Sequence, residues 1–150
     1  MVIEATTVTF DSIQVGDKLP SIQKTESQET INGYAEMGER IRPRDRNQVS
    51  LHTDVGFAQA GIFAGTVNIG VTTCAYLFDL LEQAFPTKSI LNSTFTMRAL
   101  EPFRPGDVVT FTGKVLDKRE EEGKRLVDVE VTGINQMDQT IASGKATVPL

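Results

Sequence analysis

The chain has 150 residues and a mass of 16.4 kDa, a length typical of a single domain with a sizeable buried core. Apolar residues make up 39% and charged residues 23%, which excludes a disordered chain and predicts a globular protein. The formal net charge of −5 argues against a broad basic surface, so neither nucleic acid nor an anionic membrane is expected as a partner.

One stretch of the sequence is unusual, because the 24 residues from Val55 to Phe78 carry no charge. That length would span a bilayer, but the stretch contains four glycines and several polar side chains, so a membrane helix is not expected. The first ten residues lack the basic and apolar segments of a secretion signal. We therefore expect a cytoplasmic protein.

The first third of the chain predicts one strand and one helix, followed by a long loop. The strand covers 19–25, and the amphipathic helix begins near Ser27 with a capping signature and stops at Gly38. The segment 38–54 is charged and contains Pro43, which predicts an irregular loop that carries function.

Two further helices are predicted around the uncharged stretch. Asp54 is placed to cap a single helical turn that Gly61 ends. A second helix over about 67–83 carries apolar residues all around its axis, so we expect it to be buried on nearly every side. Cys74, the only cysteine, is expected to be a small buried side chain of this helix, and a single thiol excludes an internal disulfide.

The second half of the chain predicts four antiparallel strands separated by turns. The strands cover 89–99, 108–116, 126–134 and 140–148, and a charged hairpin tip at 119–124 joins the second to the third. One strand, then helices, then four antiparallel strands define an α+β class in which a curved sheet encloses one long apolar helix. All 150 residues are expected to form one domain.

The chemistry available to the chain is limited by its side chains. His52 is the only histidine, which excludes a metal site built from two or three histidines of one subunit, and no metal or other cofactor is expected. The usual sequence signatures of nucleotide-binding enzymes and serine hydrolases do not occur. A lone histidine is more often structural than catalytic, but His52 ends the long loop and directly precedes the uncharged stretch. We therefore treat it as the candidate for acid–base chemistry.

The run Leu51-His52-Thr53-Asp54 is followed by Phe57-Ala58 and, eighteen residues after the histidine, by Gly70. Together with the later turn Pro105-Gly106-Asp107, this order resembles the MaoC-like proteins, the (R)-specific enoyl-thioester hydratases. The resemblance covers about residues 10–148 and implies a hot-dog fold. It also implies a hydratase or dehydratase that acts on an enoyl or 3-hydroxyacyl thioester of coenzyme A or of an acyl carrier protein. A homodimer is the implied assembly, with a heterodimer as the alternative.

The resemblance assigns roles to three positions. In the family, an aspartate and a histidine hold the water that adds to the double bond, and a backbone N–H binds the developing enolate oxygen. Those positions are Asn47, His52 and Gly70 here, so the aspartate is replaced by an amide that cannot accept a proton at neutral pH. Either His52 works without a carboxylate, or Asp45 supplies one from two residues earlier, or the hydratase chemistry has been lost.

Residues that bind substrate are also predicted. Four arginines alternate in the loop, and on an extended chain they would share one side suited to the phosphates of coenzyme A or to an acidic carrier protein: Arg40, Arg42, Arg44 and Arg46. A solvated loop with local ion pairs is an equal alternative. Tyr76 and Phe78 on the central helix are candidates to line an acyl tunnel, although residues at helical spacing are more often core.

Three other functions stay open on the sequence. The missing aspartate favours a catalytically silent, thioester-binding subunit that pairs with an active homologue. A tailoring enzyme of secondary metabolism could use the same pocket for elimination or conjugate addition. A thioesterase of the same fold is less favoured, because such enzymes typically place a carboxylate on or near the central helix and the stretch from Val55 to Phe78 has none.

Overall fold

The computed structural model describes residues 1–41 and 48–150. These residues form five strands and four helices: β1 (Ile22–Thr25), α1 (Gln28–Ile41), α2 (Val55–Ala60), α3 (Gly70–Ala84), α4 (Thr87–Leu91), β2 (Thr94–Ala99), β3 (Val108–Glu121), β4 (Lys124–Asn135) and β5 (Thr140–Pro149). The predictions made for five loop residues fall outside the described part of the chain: Arg42, Arg44, Asp45, Arg46 and Asn47.

The five strands form one antiparallel sheet in the order β1-β3-β4-β5-β2. β3 and β4 are its longest strands and make a hairpin whose turn residues, Glu122 and Gly123, both have positive φ, as a tight two-residue turn requires. β2 forms one edge of the sheet and pairs with β5, while β1 forms the other edge and pairs with β3. The predicted α+β class is confirmed.

The core lies between the sheet and α3, which is the central helix. It is built from apolar side chains of α3 and from alternate positions of β4: Leu77, Leu80, Leu81, Ala84, Val127, Val129 and Val131. Buried and less buried side chains alternate along β4, as its period-two sequence pattern predicts. The prediction that the central helix is buried on nearly every side is wrong, because Val71 is 54% exposed and Ala75, one turn later, is exposed on the same side.

Several element boundaries differ from the predicted ones. β1 begins at Ile22 instead of residue 19, and β3 continues to Glu121, so the β3–β4 turn is shorter than the predicted tip at 119–124. α1 continues through Gly38 to Ile41, since a glycine inside a helix costs only about 1 kcal/mol relative to alanine. The central helix begins at Gly70 instead of near residue 67, because the residues before it are extended. Residues 89–91, predicted as the start of the strand 89–99, belong instead to the short helix α4, which follows Pro86. No helix of the described residues is long and apolar enough to cross a membrane.

The turn that contains His52 is fixed by the start of α2. The Asp54 carboxylate accepts a hydrogen bond from the N–H of Phe57 at 2.9 Å, which confirms the predicted N-cap, and Gly61 ends the helix as predicted. The N–H of Asp54 also donates to the carbonyl of Ser50 at 2.9 Å. His52 therefore lies in a tight turn that is closed by backbone hydrogen bonding and anchored to a capped helix.

The turn Pro105-Gly106-Asp107 connects the sheet to the beginning of α1. Gly106 has a φ of +94°, a conformation that side chains with a Cβ rarely adopt. Its N–H donates to the carbonyl of Glu26, and the N–H of Glu26 donates to the carbonyl of Asp107, both at 2.9 Å. This pair of bonds fixes where α1 begins, and the first residue of α1 contacts the site described below.

Candidate active site

His52 is held through its ring by the chain that precedes α3. Its Nδ1 lies 2.9 Å from the carbonyl oxygen of Val67. A carbonyl oxygen only accepts hydrogen bonds, so Nδ1 carries the proton and donates to it. In the neutral ring, the lone pair is then on Nε2. Nε2 is therefore the ring atom that is available to take a proton from a bound molecule.

The backbone of His52 is held as well. Its N–H donates to the hydroxyl of Ser50 at 3.2 Å, and its carbonyl accepts from Nε2 of Gln28 at 2.9 Å. Ser50 is buried, and Gln28 is the first residue of α1. Both the ring and the main chain of the candidate base are thus fixed by neighbouring segments.

The N-terminus of α3 provides backbone donors. The helix begins at Gly70, and the cap residue before it, Ile69, makes no side-chain capping bond. The first N–H groups of a helix have no acceptor within it, and this end carries the positive end of the helix dipole. A Cβ placed on Gly70 would meet no atom within 4 Å, so its backbone faces open space.

His52 and Gly70 line the same cavity, whose volume is about 310 Å³. Asn68 and Thr73 add polar groups to it, and Glu101 adds a carboxylate. The remaining lining residues are mainly apolar: Leu51, Phe63, Val67, Ala99, Leu100, Pro102, Phe103 and Ile141. A cavity with one histidine, one open helix end and apolar walls fits a small molecule with an apolar part and one reacting polar group.

A larger cleft of about 810 Å³ lies between α4 and the β3–β4 hairpin. Its lining includes charged side chains, of which Arg125 donates to Glu120 at 3.1 Å. Neither the histidine nor the cysteine lines it. Of these two cavities of the described residues, the smaller one is the candidate active site, because His52 and the N-terminus of α3 both line it.

Asn68 and Thr73 support the helix end from inside. Asn68 is buried, and its side-chain amide donates to the hydroxyl of Thr73 at 2.8 Å. Its backbone N–H donates to the carbonyl of Phe103 at 2.8 Å. The chain on either side of Gly70 is therefore fixed, which keeps the first N–H groups of α3 in place.

A buried carboxyl, that of Glu26, lies next to Asn68. Glu26 is 1% exposed, and among the described residues its Oε2 has no hydrogen-bond partner. Burial raises the pKa of its carboxyl, while hydrogen bonds from the N–H of Ser27 and from Asn68 act in the opposite direction. The burial of Glu26 was not predicted, because a glutamate just before a helix is common at protein surfaces.

Neither of the predicted acyl-tunnel residues, Tyr76 and Phe78, lines the cavity. Tyr76 packs against Phe103 and Phe111 with ring centroids about 6 Å apart, and Phe78 packs against Phe95 at 4.9 Å. Burial raises the pKa of Tyr76, and the charges of nearby carboxylates add to this shift. Their role in binding substrate stays a prediction.

Two other residues considered in the sequence analysis, Arg40 and Cys74, do not line the cavity. Arg40 is exposed in the last turn of α1, next to the loop that carries the other three arginines. Cys74 is partly buried, and burial raises the pKa of its thiol, which disfavours the reactive thiolate. Among the described residues, no group of three or more histidine, cysteine or acidic side chains is arranged to hold a metal ion.

The sequence profile of the family described as MaoC like domain matches residues 14–137. The chain therefore belongs to this family, which confirms the resemblance inferred from the residues around His52, Gly70 and the turn Pro105-Gly106-Asp107. A comparison with curated protein sequences gave no match.

Solved structures resemble this chain over nearly its whole length. A MaoC-like dehydratase from Rhodospirillum rubrum is 19% identical with a TM-score of 0.77, over 96% of this chain and 97% of that chain. The (R)-hydratase from A. caviae involved in PHA biosynthesis is 25% identical with a TM-score of 0.72, over 93% and 98%. The ChsH1-ChsH2 complex from Mycobacterium tuberculosis contributes a chain that is 18% identical with a TM-score of 0.70, over 91% and 98%. These likenesses confirm the predicted hot-dog fold.

Proposed function

We propose that this protein is a hydratase or dehydratase that acts on an enoyl or 3-hydroxyacyl thioester, with His52 as general acid and base. The observation that supports this most is that one cavity of about 310 Å³ is lined both by His52, whose Nε2 has no hydrogen-bond partner among the described residues, and by Gly70 at the uncapped end of α3. Addition of water next to a thioester needs these two groups, a base for the water and a donor for the carbonyl oxygen. Membership of the MaoC-like family supports the same chemistry.

In the hydration direction, Nε2 of His52 takes a proton from water while the water oxygen bonds to C3 of the enoyl group. The electron pair of the double bond moves toward the thioester carbonyl and forms an enolate. The N–H of Gly70 stabilises the enolate oxygen, helped by the positive end of the α3 dipole. When the enolate collapses, C2 takes the proton back from His52, so both hydrogens of the water end in the product. Dehydration is the reverse sequence.

A carboxylate from the loop would add a second group that orients the water. Asp45 can supply that carboxylate, and Asn47 can hold a water through its amide. Two substitutions separate these roles. If Asp45 is the working carboxylate, Asp45→Asn lowers turnover about 100-fold while Asn47→Ala has little effect. A large gain in hydration in Asn47→Asp would instead mean that the natural reaction differs from simple hydration.

The carrier to which the acyl group of the substrate is attached is proposed to be coenzyme A or an acyl carrier protein. Arg40 is exposed where α1 ends, and Arg42, Arg44 and Arg46 follow it in sequence, so the chain carries a local positive segment despite its net charge of −5. Guanidinium groups suit the phosphates of both carriers. Tyr76 and Phe78 are proposed to shape the acyl end from behind Phe103 and Phe95.

The protein is proposed to act as a homodimer. Within the described residues, β2 is an edge strand that pairs only with β5, which leaves one side of a six-residue strand open. An open edge is commonly covered by a second chain. A heterodimer with a related chain is the alternative.

A catalytically silent subunit is the second candidate function. Asn47 in place of the family's aspartate favours it, and one structural neighbour, ChsH1-ChsH2, is a complex of two chains. Such a subunit would bind an acyl thioester or a partner but would not turn it over when purified by itself. Rapid turnover by the isolated chain would exclude this function.

The deciding experiment offers the purified chain a panel of enoyl and 3-hydroxyacyl thioesters, each linked to coenzyme A and to an acyl carrier protein. Loss or gain of absorbance from the conjugated enoyl thioester reports the reaction in both directions. The proposed enzyme turns over at least one member of the panel. Binding without turnover on every member would favour the silent subunit instead.

A further inference from the structure

Gln28 is the first residue of α1 and does not itself line the cavity. Its side chain makes three hydrogen bonds. Nε2 donates to the carbonyl of His52 and to Oδ1 of Asn32, each at 2.9 Å, and Oε1 accepts from the hydroxyl of Thr66 at 2.6 Å. Since the carbonyl of His52 only accepts, the nitrogen of the amide must face it and the oxygen must face Thr66.

This single amide joins the two segments that meet in the active site. One is the turn that holds His52, and the other is the extended chain that leads to α3. Thr66 directly precedes Val67, whose carbonyl accepts the hydrogen bond from Nδ1 of His52 at 2.9 Å. Gln28 therefore fixes the two backbones between which the ring hydrogen bond is formed.

The position of Val67 controls which ring nitrogen carries the proton. While its carbonyl stays within hydrogen-bond distance, Nδ1 is protonated and Nε2 is free to act as a base. If the segment moved away, the hydrogen bond that favours this tautomer would be lost. In the other tautomer, Nε2 carries the proton and cannot accept one from water.

We propose that Gln28 is a positioning residue that keeps His52 in the tautomer with the proton on Nδ1, by holding the Thr66-Val67 segment against the His52 turn. The consequence for catalysis rests on the proposed function. The tautomer itself is a property of the folded chain, and it can be measured whether or not turnover is found.

Nuclear magnetic resonance of the ring nitrogens gives the test, because His52 is the only histidine in the sequence and its signals need no assignment by mutation. In the wild type, the neutral ring should show a protonated Nδ1 and a bare Nε2. Gln28→Met keeps the length of the side chain but removes its polar atoms. We expect a clear shift of the ring signals toward the other tautomer in this variant.

Thr66 provides a second route to the same result. Thr66→Val removes the hydroxyl with little change in shape and should shift the tautomer in the same direction as Gln28→Met. Thr66→Ser keeps the hydroxyl and should restore the wild-type pattern. A double variant of Gln28→Met and Thr66→Val should shift the tautomer no further than Gln28→Met does by itself, because Gln28→Met already removes the bond that Thr66→Val removes.

Gln23→Met is the matched control. Gln23 is exposed on β1, and its side-chain Nε2 donates to the hydroxyl of a threonine, Thr110, at 3.4 Å. This variant should leave the ring signals unchanged. If the wild type is active, Gln28→Met should lower kcat by about 10-fold to 100-fold, the range for groups that orient a site histidine, with KM little changed.

The outcomes separate the two proposals. A wild-type ring with the proton on Nε2, or identical ring signals in the wild type, Gln28→Met and Thr66→Val, would overturn the role of Gln28. A shifted tautomer in the variants, together with no turnover by the wild type on any thioester, would support the role of Gln28 and overturn the hydratase function.

Discussion

Nδ1 of His52 donates to the carbonyl of Val67 at 2.9 Å, three residues before the first residue of α3. The same short segment therefore sets the tautomer of the candidate base and presents the N–H of Gly70 to the same cavity. One hydrogen bond and a short backbone segment, with Gly70 three residues after Val67, connect the candidate base to the proposed oxyanion donor.

The role of the Gly70 amide can be tested without disturbing the helix. Gly70 is the first residue of α3, where proline is tolerated because the N–H there has no acceptor in the helix. The residue before it, Ile69, has φ −78° and ψ 123°, which a following proline allows. Gly70→Pro should fold normally but lose about 100-fold to 1000-fold in kcat, the usual effect of removing one oxyanion donor.

Gly70→Ala is the control for that experiment. It keeps the N–H, and its added Cβ meets no atom within 4 Å. Rates and unfolding temperatures of the two variants should be compared with those of the wild type. Equal rates in Gly70→Pro and Gly70→Ala, with both folded, would show that this amide does not stabilise the transition state.

The buried carboxyl of Glu26 makes stability depend on pH. Burial raises its pKa above the ordinary value of 4.5, so the native state keeps this proton to a higher pH than the unfolded chain does. The contribution of Glu26 to stability is therefore fully present below the unfolded pKa, and it is lost as the pH rises through the native pKa. Glu26→Gln has no such proton to lose. Its stability relative to the wild type should increase as the pH rises from below 4.5 toward neutral.

Urea unfolding of the wild type and Glu26→Gln across that range gives the measurement. Glu122→Gln is the control, because Glu122 is exposed in the β3–β4 turn and should show no such pH-dependent difference. A difference between Glu26→Gln and the wild type that stays constant with pH would contradict the raised pKa.

The cap of α2 should contribute measurably to stability. The Asp54 carboxylate accepts from the N–H of Phe57, and α2 has only six residues. Asp54→Ala should lower the free energy of unfolding by about 1 kcal/mol, whereas Asp54→Asn keeps a capping acceptor and should stay close to the wild type. Thermal or urea unfolding of the two variants checks this, and equal losses in both would mean that the charge matters more than the cap.

Local signals predicted much of this molecule. The cap at Asp54, the alternation in β4 and the hairpin between β3 and β4 depend on residues close in sequence, and each is confirmed. Residues 89–91 were predicted as the start of a strand and belong to helix α4, because their short apolar pattern fits either state. The exposed side of α3 was also missed, since an apolar residue such as Val71 does not show by itself which face meets the sheet.

Gln28 and Glu26 could not be identified from the sequence. Gln28 bonds to His52, which is 24 residues away in the sequence, and to Thr66, which is 38 residues away. Only the folded chain brings these residues together. By contrast, His52 and Gly70 keep a fixed spacing along one segment, which a single sequence can show. The two candidate residues that line the cavity were therefore easier to find than the residues that contact them from outside it.

The most direct test of the central claim compares the wild type with His52→Ala and His52→Gln on crotonyl-CoA, and on the best substrate of the thioester panel. If His52 is the general acid and base, both variants should fold and should lose about 100-fold to 10,000-fold in kcat/KM. Wild-type turnover that is unchanged in both variants would show that the reaction does not use His52, and it would contradict this account.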